Sequence, residues 1–445
     1  MLDANPVPAA VGVEGFSRGP AGRPRTLAQK LIGKAAGRPV STGEVVTAKV
    51  DLAMIHDSGG PRRVEPILKE LGVGLFDPSR VVLISDHFVP GDTAEGASIL
   101  ELTRAWARER KVTFYDGQGI CHVVLPERGH LRPGMFVVGG DSHSPTGGAF
   151  GAYMFGVGAT EMAAVLATNE IWLEVPGTIR IEWKNRLGRG LTAKDMMLAM
   201  CRRLGMDGGR YQAVEYTGPA IAALSMQERV TLSNMAAELG GQVGLIAPDE
   251  TTVAWLKTVG VEADDWREWR GDDDAELLDH HLFDAATLEP QVAAPHSPAN
   301  SAPVSEIGAT AIDVAYIGAC TGAKYDDLRN AATILRGRKL AAGVRMMVAP
   351  ASRREQDRAE AEGLMAVFEE AGATILPNAC GICAGYGNAR LGEGERCISS
   401  TARNFKGRMG AASSMVWLAS PLTVAAAAVA GRIVDPRDLL PEDEA

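Results

Sequence analysis

Four times along this chain a short apolar run ends in a polar turn that carries reactive side chains. Residues 80–85 (RVVLIS) run into Asp86-His87, and 135–138 (MFVV) lead through Gly139-Gly140 into Asp141-Ser142-His143. Residues 314–317 (VAYI) lead into Gly318-Ala319-Cys320-Thr321, and 374–376 (TIL) into Cys380-Gly381-Ile382-Cys383. Runs this short, bounded by turn residues, predict strands. Between the last two lies 325–336 (YDDLRNAATILR), apolar at helix spacing, with Asp326 and Asp327 in the first turn where the helix dipole favours acids. A short strand at 344–348 and a charged amphipathic helix over 353–371 follow. Strand–helix alternation predicts an α/β fold with mostly parallel sheets and crossover helices. In such sheets ligands bind beyond the carboxyl ends of the strands. Cys320 and the Cys380/Cys383 pair would meet at that edge despite their separation in sequence.

A chain of 445 residues has room for two or three domains. The Pro-, Ala- and Ser-rich stretch 291–303 (QVAAPHSPANSAP) reads as a linker, and a softer boundary falls near 169–176. The expected organisation is a flexible tail over 1–25, α/β domains over 26–175, 176–290 and 304–445, and the linker between the last two. The formal net charge of −10 argues against a protein that grips nucleic-acid backbones. No stretch reaches the roughly 18 consecutive apolar residues of a membrane span. The run 422–431 (LTVAAAAVAG) predicts a buried helix instead. Six scattered cysteines fit a reducing, cytoplasmic setting rather than a disulfide framework.

Cys380-x-x-Cys383 alone fits a redox pair, half a zinc site, part of a cluster site or nothing at all. A third cysteine at a matching strand end shifts the balance toward a metal centre. Thiolates hold iron–sulfur clusters, normally four per cubane. Here three sit in loop positions; Cys397 is a candidate fourth in an apolar context, and Cys121 and Cys201 read as packing residues. Three thiolates would leave one iron open to act as a Lewis acid, and zinc on three cysteines is the rival. A lone strand-end histidine is more often structural than catalytic. Asp86-His87, Asp141-Ser142-His143, His122 after a Gly-Gln-Gly turn, and His56 before Asp57 together weaken that reading. A carboxylate beside an imidazole stabilises its protonated form, as a general acid requires. Asn234 and Glu238, four apart, share a helix face and alone would read as a solvated pair. Arg403 and Arg408 could fork onto carboxylates or simply form a basic loop.

Together these segments resemble the aconitase superfamily, most closely the large subunit of 3-isopropylmalate dehydratase. The stretches that carry the likeness are SDHFVP (85–90), GQGICHVVLPERG (117–129), GGDSHSPTGGAFGAYMFGVGATE (139–161), RVTLSNMAAELGGQVGLIAPDETT (229–252), YIGACTGAKYDDLR (316–329), NACGICAGYGNARLGEGE (378–395) and RNFKGRMG (403–410). The resemblance implies three aconitase-like domains around a [4Fe-4S] cluster held by Cys320, Cys380 and Cys383. It implies that Asp86 and His87 protonate a departing hydroxyl, and that His122, Asp141 and His143 surround the cluster and its water. Glu238 would face the cluster. Ser142, Asn234, Arg403, Arg408 and, more loosely, His56 would contact a small hydroxy-dicarboxylate. The family takes its base from a serine on a swivelling fourth domain, in a motif like Gly-Ser-Ser-Arg that this sequence lacks. The resemblance therefore implies a separate small subunit carrying that domain.

The sequence also departs from the family pattern. Ala402 and Gly322 stand where asparagines are usual, Ala319 replaces a serine, Ser144 a threonine and Gly147 a histidine. These changes spare the ligand and acid–base sets but leave the substrate open between an isopropylmalate and citraconate, maleate or a methylated malate. A remoter alternative is a non-catalytic iron or redox sensor on the same scaffold.

Overall fold

The computed structural model describes residues 23–386 and 388–441. Most of the tail expected over 1–25 lies outside the described residues. Its last residue is anchored: Arg25 is buried and its backbone N–H donates to Asp272 at 2.8 Å.

The architecture is mixed α/β with mainly parallel sheets, as expected. One sheet has five parallel strands in the order Thr113–Asp116, Val81–Ser85, Leu52–His56, Phe136–Gly139, Tyr153–Gly156. Its strands Val81–Ser85 and Leu52–His56 are buried at every position, the pattern of a parallel strand covered on both faces. A second sheet is also parallel, in the order Val243–Leu245, Ala213–Thr217, Thr178–Lys184, Asp279–Asp284. The third runs Ser301–Pro303, Gln291–Ala293, Met415–Ala419, Arg396–Ser399, Val314–Ile317, Arg345–Val348, Thr374–Ile375, the last five mutually parallel.

The third sheet corrects the linker expectation. Residues 291–303 supply two antiparallel strands at its edge, joined by a short turn. The Gln291 N–H donates to buried Asp195, and Val292 and Ala293 pair with Ala419 and Leu418 of Met415–Ala419. The helix expected over 353–371 is also two helices, Arg353–Ala361 and Leu364–Ala371. Gly363 separates them at φ 72°, a left-handed turn that glycine adopts without strain. The Ala-rich helix Pro421–Ala430 is buried and packs on Tyr325–Leu335. Among the described residues no helix is long and apolar enough to cross a membrane.

The first and third sheets meet at their carboxyl edges. There the Cys380 N–H donates to the Asp86 carbonyl at 2.8 Å, and the Ile120 N–H to the Ala351 carbonyl at 2.9 Å. The turns carrying polar residues thus face one another across a seam.

Candidate active site

The seam encloses a cavity lined by Asp86, His87, Cys121, His122, Asp141, His143, Cys320, Cys380, Cys383, Ala402 and Arg408, among others. Cys320 follows the strand Val314–Ile317, with Ala319 held at φ 70°, in the left-handed region that a side chain disfavours. Cys380 precedes and Cys383 lies within the 3-10 turn Gly381–Ala384, with Gly381 at φ 42°. Cys397 is not at this site: it sits in the core strand Arg396–Ser399, its thiol near the Ile398 carbonyl. Cys121, expected to pack, does line the cavity. Burial and the neighbouring Asp86 carboxylate hold its thiol protonated.

Donors already stand at two of the three sulfurs, Cys320 and Cys383. The Asn234 amide donates to Cys320 Sγ at 3.2 Å and to Thr146 Oγ1 at 2.8 Å. Burial pushes the Cys320 thiol up to about 12, while that amide pulls the other way. Cys380 and Cys383 share a hydrogen bond, and the Arg408 guanidinium beside Cys383 helps make it the partner that carries negative charge. His122 Nδ1, Glu238 Oε2 and Arg408 Nε are buried without a partner. Converging thiols, donors aimed at sulfur and unmet polar atoms fit a thiolate-held metal group in this cavity.

Two hydrogen-bonded chains border the cysteines. In the first, His87 Nδ1 lies 2.6 Å from Asp86 Oδ1, and Asp86 Oδ2 accepts the Cys121 N–H at 2.8 Å. Burial opposes charge on His87, but Asp86 and Asp57 outweigh it and raise its pKa well above the usual histidine value. Burial likewise opposes charge on Asp86, and His87 nonetheless keeps it below the usual carboxylate range. The pair is therefore an ion pair, with His87 Nε2 left for the cavity. Asp57 accepts the backbone N–H groups of His87 and Phe88 at 3.1 and 2.9 Å. His56 stacks on His87 at 4.4 Å between ring centroids. Burial, then the charge on His87, keeps His56 neutral; its Nε2 donates to the Gly140 carbonyl at 2.8 Å. His56, Asp57, Asp86 and His87 are close enough to bind a cation, but these hydrogen bonds already occupy them.

In the second chain His122 Nε2 lies 2.6 Å from Asp141 Oδ1, which also accepts the His143 N–H at 2.8 Å. His143 Nε2 reaches Glu238 Oε1 at 3.1 Å, and Arg403 Nε donates to the same oxygen at 2.5 Å. Arg403 Nη1 then donates to Ser142 Oγ at 3.0 Å. Burial disfavours charge on Glu238, but Arg403 and His143 lower its pKa to about 2. Asn234 and Glu238, which alone would read as a solvated pair, are both fully buried. Asn234 ends the helix Met226–Asn234 and Glu238 closes the 3-10 turn Met235–Ala237. Of the expected residues, Asp86, His87, His122, Asp141, His143, Cys320, Cys380, Cys383 and Arg408 line the cavity, Ser142 and Arg403 line an adjoining pocket, and His56, Asn234 and Glu238 contact residues of the two walls.

A family model described as the aconitase family (aconitate hydratase) matches residues 40–431. The chain belongs to the aconitase family. It is 44% identical over 420 residues to the 3-isopropylmalate dehydratase large subunit 1 of Methanopyrus kandleri, covering 94% of this chain and all of that one. It is 43% identical to the 3-isopropylmalate dehydratase large subunit of Moorella thermoacetica, covering 93% and 99%. It is 40% identical to a probable methanogen homoaconitase large subunit of Methanothermobacter thermautotrophicus, covering 92% and 97%. The solved structure of Thermococcus kodakaraensis aconitase X aligns with a TM-score of 0.48 at 13% identity, over 85% of this chain and 89% of that one.

Two positions of this aconitase-family chain gain a specific role from the fold. Asp57 ends an apolar run in a polar turn, the same signal that marked Asp86 and Asp141. Gly322 is explained by Ser400: a Cβ there would stand 2.4 Å from the Ser400 side chain and carbonyl oxygen. Ser400 Oγ accepts the Gly318 N–H at 3.0 Å and its O–H lies between the Gly322 and Gly318 carbonyls, so it ties down the Cys320 loop.

Proposed function

We propose that this chain is the large, catalytic subunit of a two-subunit hydro-lyase that removes or adds water on a small 2-hydroxy-dicarboxylate. One observation carries the reading: three cysteines converge on a single cavity that an Asp–His ion pair and Arg408 also line, with Arg403 beside Ser142 in the adjoining pocket. Cys320, Cys380 and Cys383 would hold a [4Fe-4S] cluster. When bound, it supplies a Lewis-acidic iron without a thiolate ligand, which polarises the substrate hydroxyl.

The chain's own residues do the rest. Arg408 and the free edge of Arg403 bind substrate carboxylates, and Ser142 Oγ adds a hydrogen bond. His87 delivers a proton from Nε2 to the departing hydroxyl. Asp86 fixes its tautomer through Nδ1 and keeps it charged near neutral pH. His122, Asp141 and His143 form a relay that can hold the released water, and Glu238 anchors that relay to Arg403. A small subunit contributes the base that takes the carbon-bound proton; the relatives named as large subunits support this partner. The six free thiols suit a reducing compartment.

The substrate is 3-isopropylmalate-like, with a paralogous citraconate, maleate or methylated-malate substrate as the second reading. Ala402, which lines the cavity where the family pattern has an asparagine, keeps that second reading open. The chain alone and the chain with its small subunit are assayed by alkene absorbance over a panel of hydroxy-dicarboxylates. Turnover only in the presence of the partner is expected. Full turnover by the chain alone would contradict the subunit assignment, and no turnover on any member would contradict the hydro-lyase assignment.

A further inference from the structure

Lys194 is a buried cation that the site as described does not use. It lies in the first turn of the helix Ala193–Leu204 and is 1% exposed. Its Nζ donates to Thr321 Oγ1 at 3.0 Å and to the Thr401 carbonyl at 2.9 Å, and it approaches Met235 Sδ at 3.5 Å. None of these partners is charged. Lys324, the neighbouring buried lysine, does have a carboxylate, Asp327 at 2.8 Å. A buried ammonium without a close anion is strongly destabilising unless an anion is supplied.

Both bonded oxygens belong to loops of the cavity wall. Thr321 directly follows Cys320, and Thr401 precedes Ala402 and Arg403. Lys194 itself does not line the cavity, so it is placed behind the wall rather than toward a substrate. Three thiolates on a cubane core of smaller positive charge make a net anion. We propose that Lys194 is the counter-charge of that anion, acting through the Thr321 turn as a positioning residue that retains the cluster and sets its potential. Burial and Lys324 lower the lysine's pKa to about 8, while Asp327, Glu238 and Cys320 at longer range oppose that fall; a bound anion adds to the opposition. The proposal rests on the cluster reading above.

The test uses the full chain, native, Lys194→Met and Lys194→Gln, each prepared both metal-free and anaerobically loaded. Without metal, Lys194→Met should melt at or above the native temperature, because an unpaired buried charge has been removed. Once loaded, both variants should release iron to a chelator about tenfold faster than native, the scale of lost outer-shell support. Both should also have a more negative cluster midpoint potential. A role limited to hydrogen bonding would leave Lys194→Gln at the native potential and release rate, overturning the proposal. So would failure of both variants to fold without metal. A native chain that holds zinc and no sulfide would instead sink the cluster reading itself.

Discussion

Asp86→Asn tests the acid pair directly. The amide keeps the size of the side chain and can still accept the Cys121 N–H, but it removes the charge 2.6 Å from His87 Nδ1. At an effective dielectric near 20, that charge attracts the imidazolium by about 6 kcal/mol, and Asp57 at 3.6 Å by about 5 kcal/mol. Asp57 remains in the variant, though two backbone N–H groups already draw on it. Breaking a buried pair costs about 3–5 kcal/mol, so retention of Asp57 places the loss near 3 kcal/mol. The sign of the pH dependence follows from His87, whose pKa is raised in the folded chain. Its contribution is complete below the unfolded histidine value and fades as pH rises through the folded value. Native and variant should therefore differ most near pH 5.5 and converge at high pH. Carbon-13 NMR of the histidine rings should show the His87 midpoint move down. Turnover with the partner subunit should fall about 10²- to 10⁴-fold, the usual share of a general acid. An unchanged His87 midpoint, or a stability loss equal at all pH, would refute the ion-pair assignment.

Arg403→Lys keeps charge but loses the fork between Glu238 and Ser142; kcat/KM should fall about 10- to 100-fold, mainly through KM, in steady-state assays. Glu127 shares a buried site with Glu355, and burial followed by that neighbour raises its pKa to about 9. Its contribution to stability is complete below the ordinary glutamate value and is lost as pH rises through about 9, so Glu127→Gln should flatten the decline in melting temperature over that window. Gly322→Ala should destabilise the chain by about 1–3 kcal/mol, because its Cβ meets Ser400 at 2.4 Å, and differential scanning calorimetry reads the loss.

The strand-to-turn rhythm made the seam legible from sequence, because a parallel sheet puts all its carboxyl ends on one edge. Four apolar runs ending in Asp, His or Cys thus marked two sheet edges, Asp86 and Asp141 on one and Cys320 and Cys380 on the other, while the meeting of the two edges depends on packing between sheets. The remaining features depend on contacts distant in sequence. Asn234 and Glu238 look like a surface pair until the Cys320 and Arg403 loops close over them. Lys194 sits in an amphipathic-looking helix, and nothing local marks it as buried behind Thr321. The stretch 291–303 has linker composition, yet Met415–Ala419 offers it an edge to pair with. Gly363 divides a helix that charge periodicity alone runs together.

Cys320, Cys380 and Cys383 are assigned above as the holders of an iron–sulfur cluster. Anaerobic purification of the native chain, followed by iron, zinc and acid-labile sulfide analysis beside Cys383→Ser, tests that assignment most directly. The expected native protein is brown, with iron and sulfide in matching amounts, and the variant loses both. A colourless native protein with stoichiometric zinc and no sulfide, or a variant that keeps its full cluster, would contradict it.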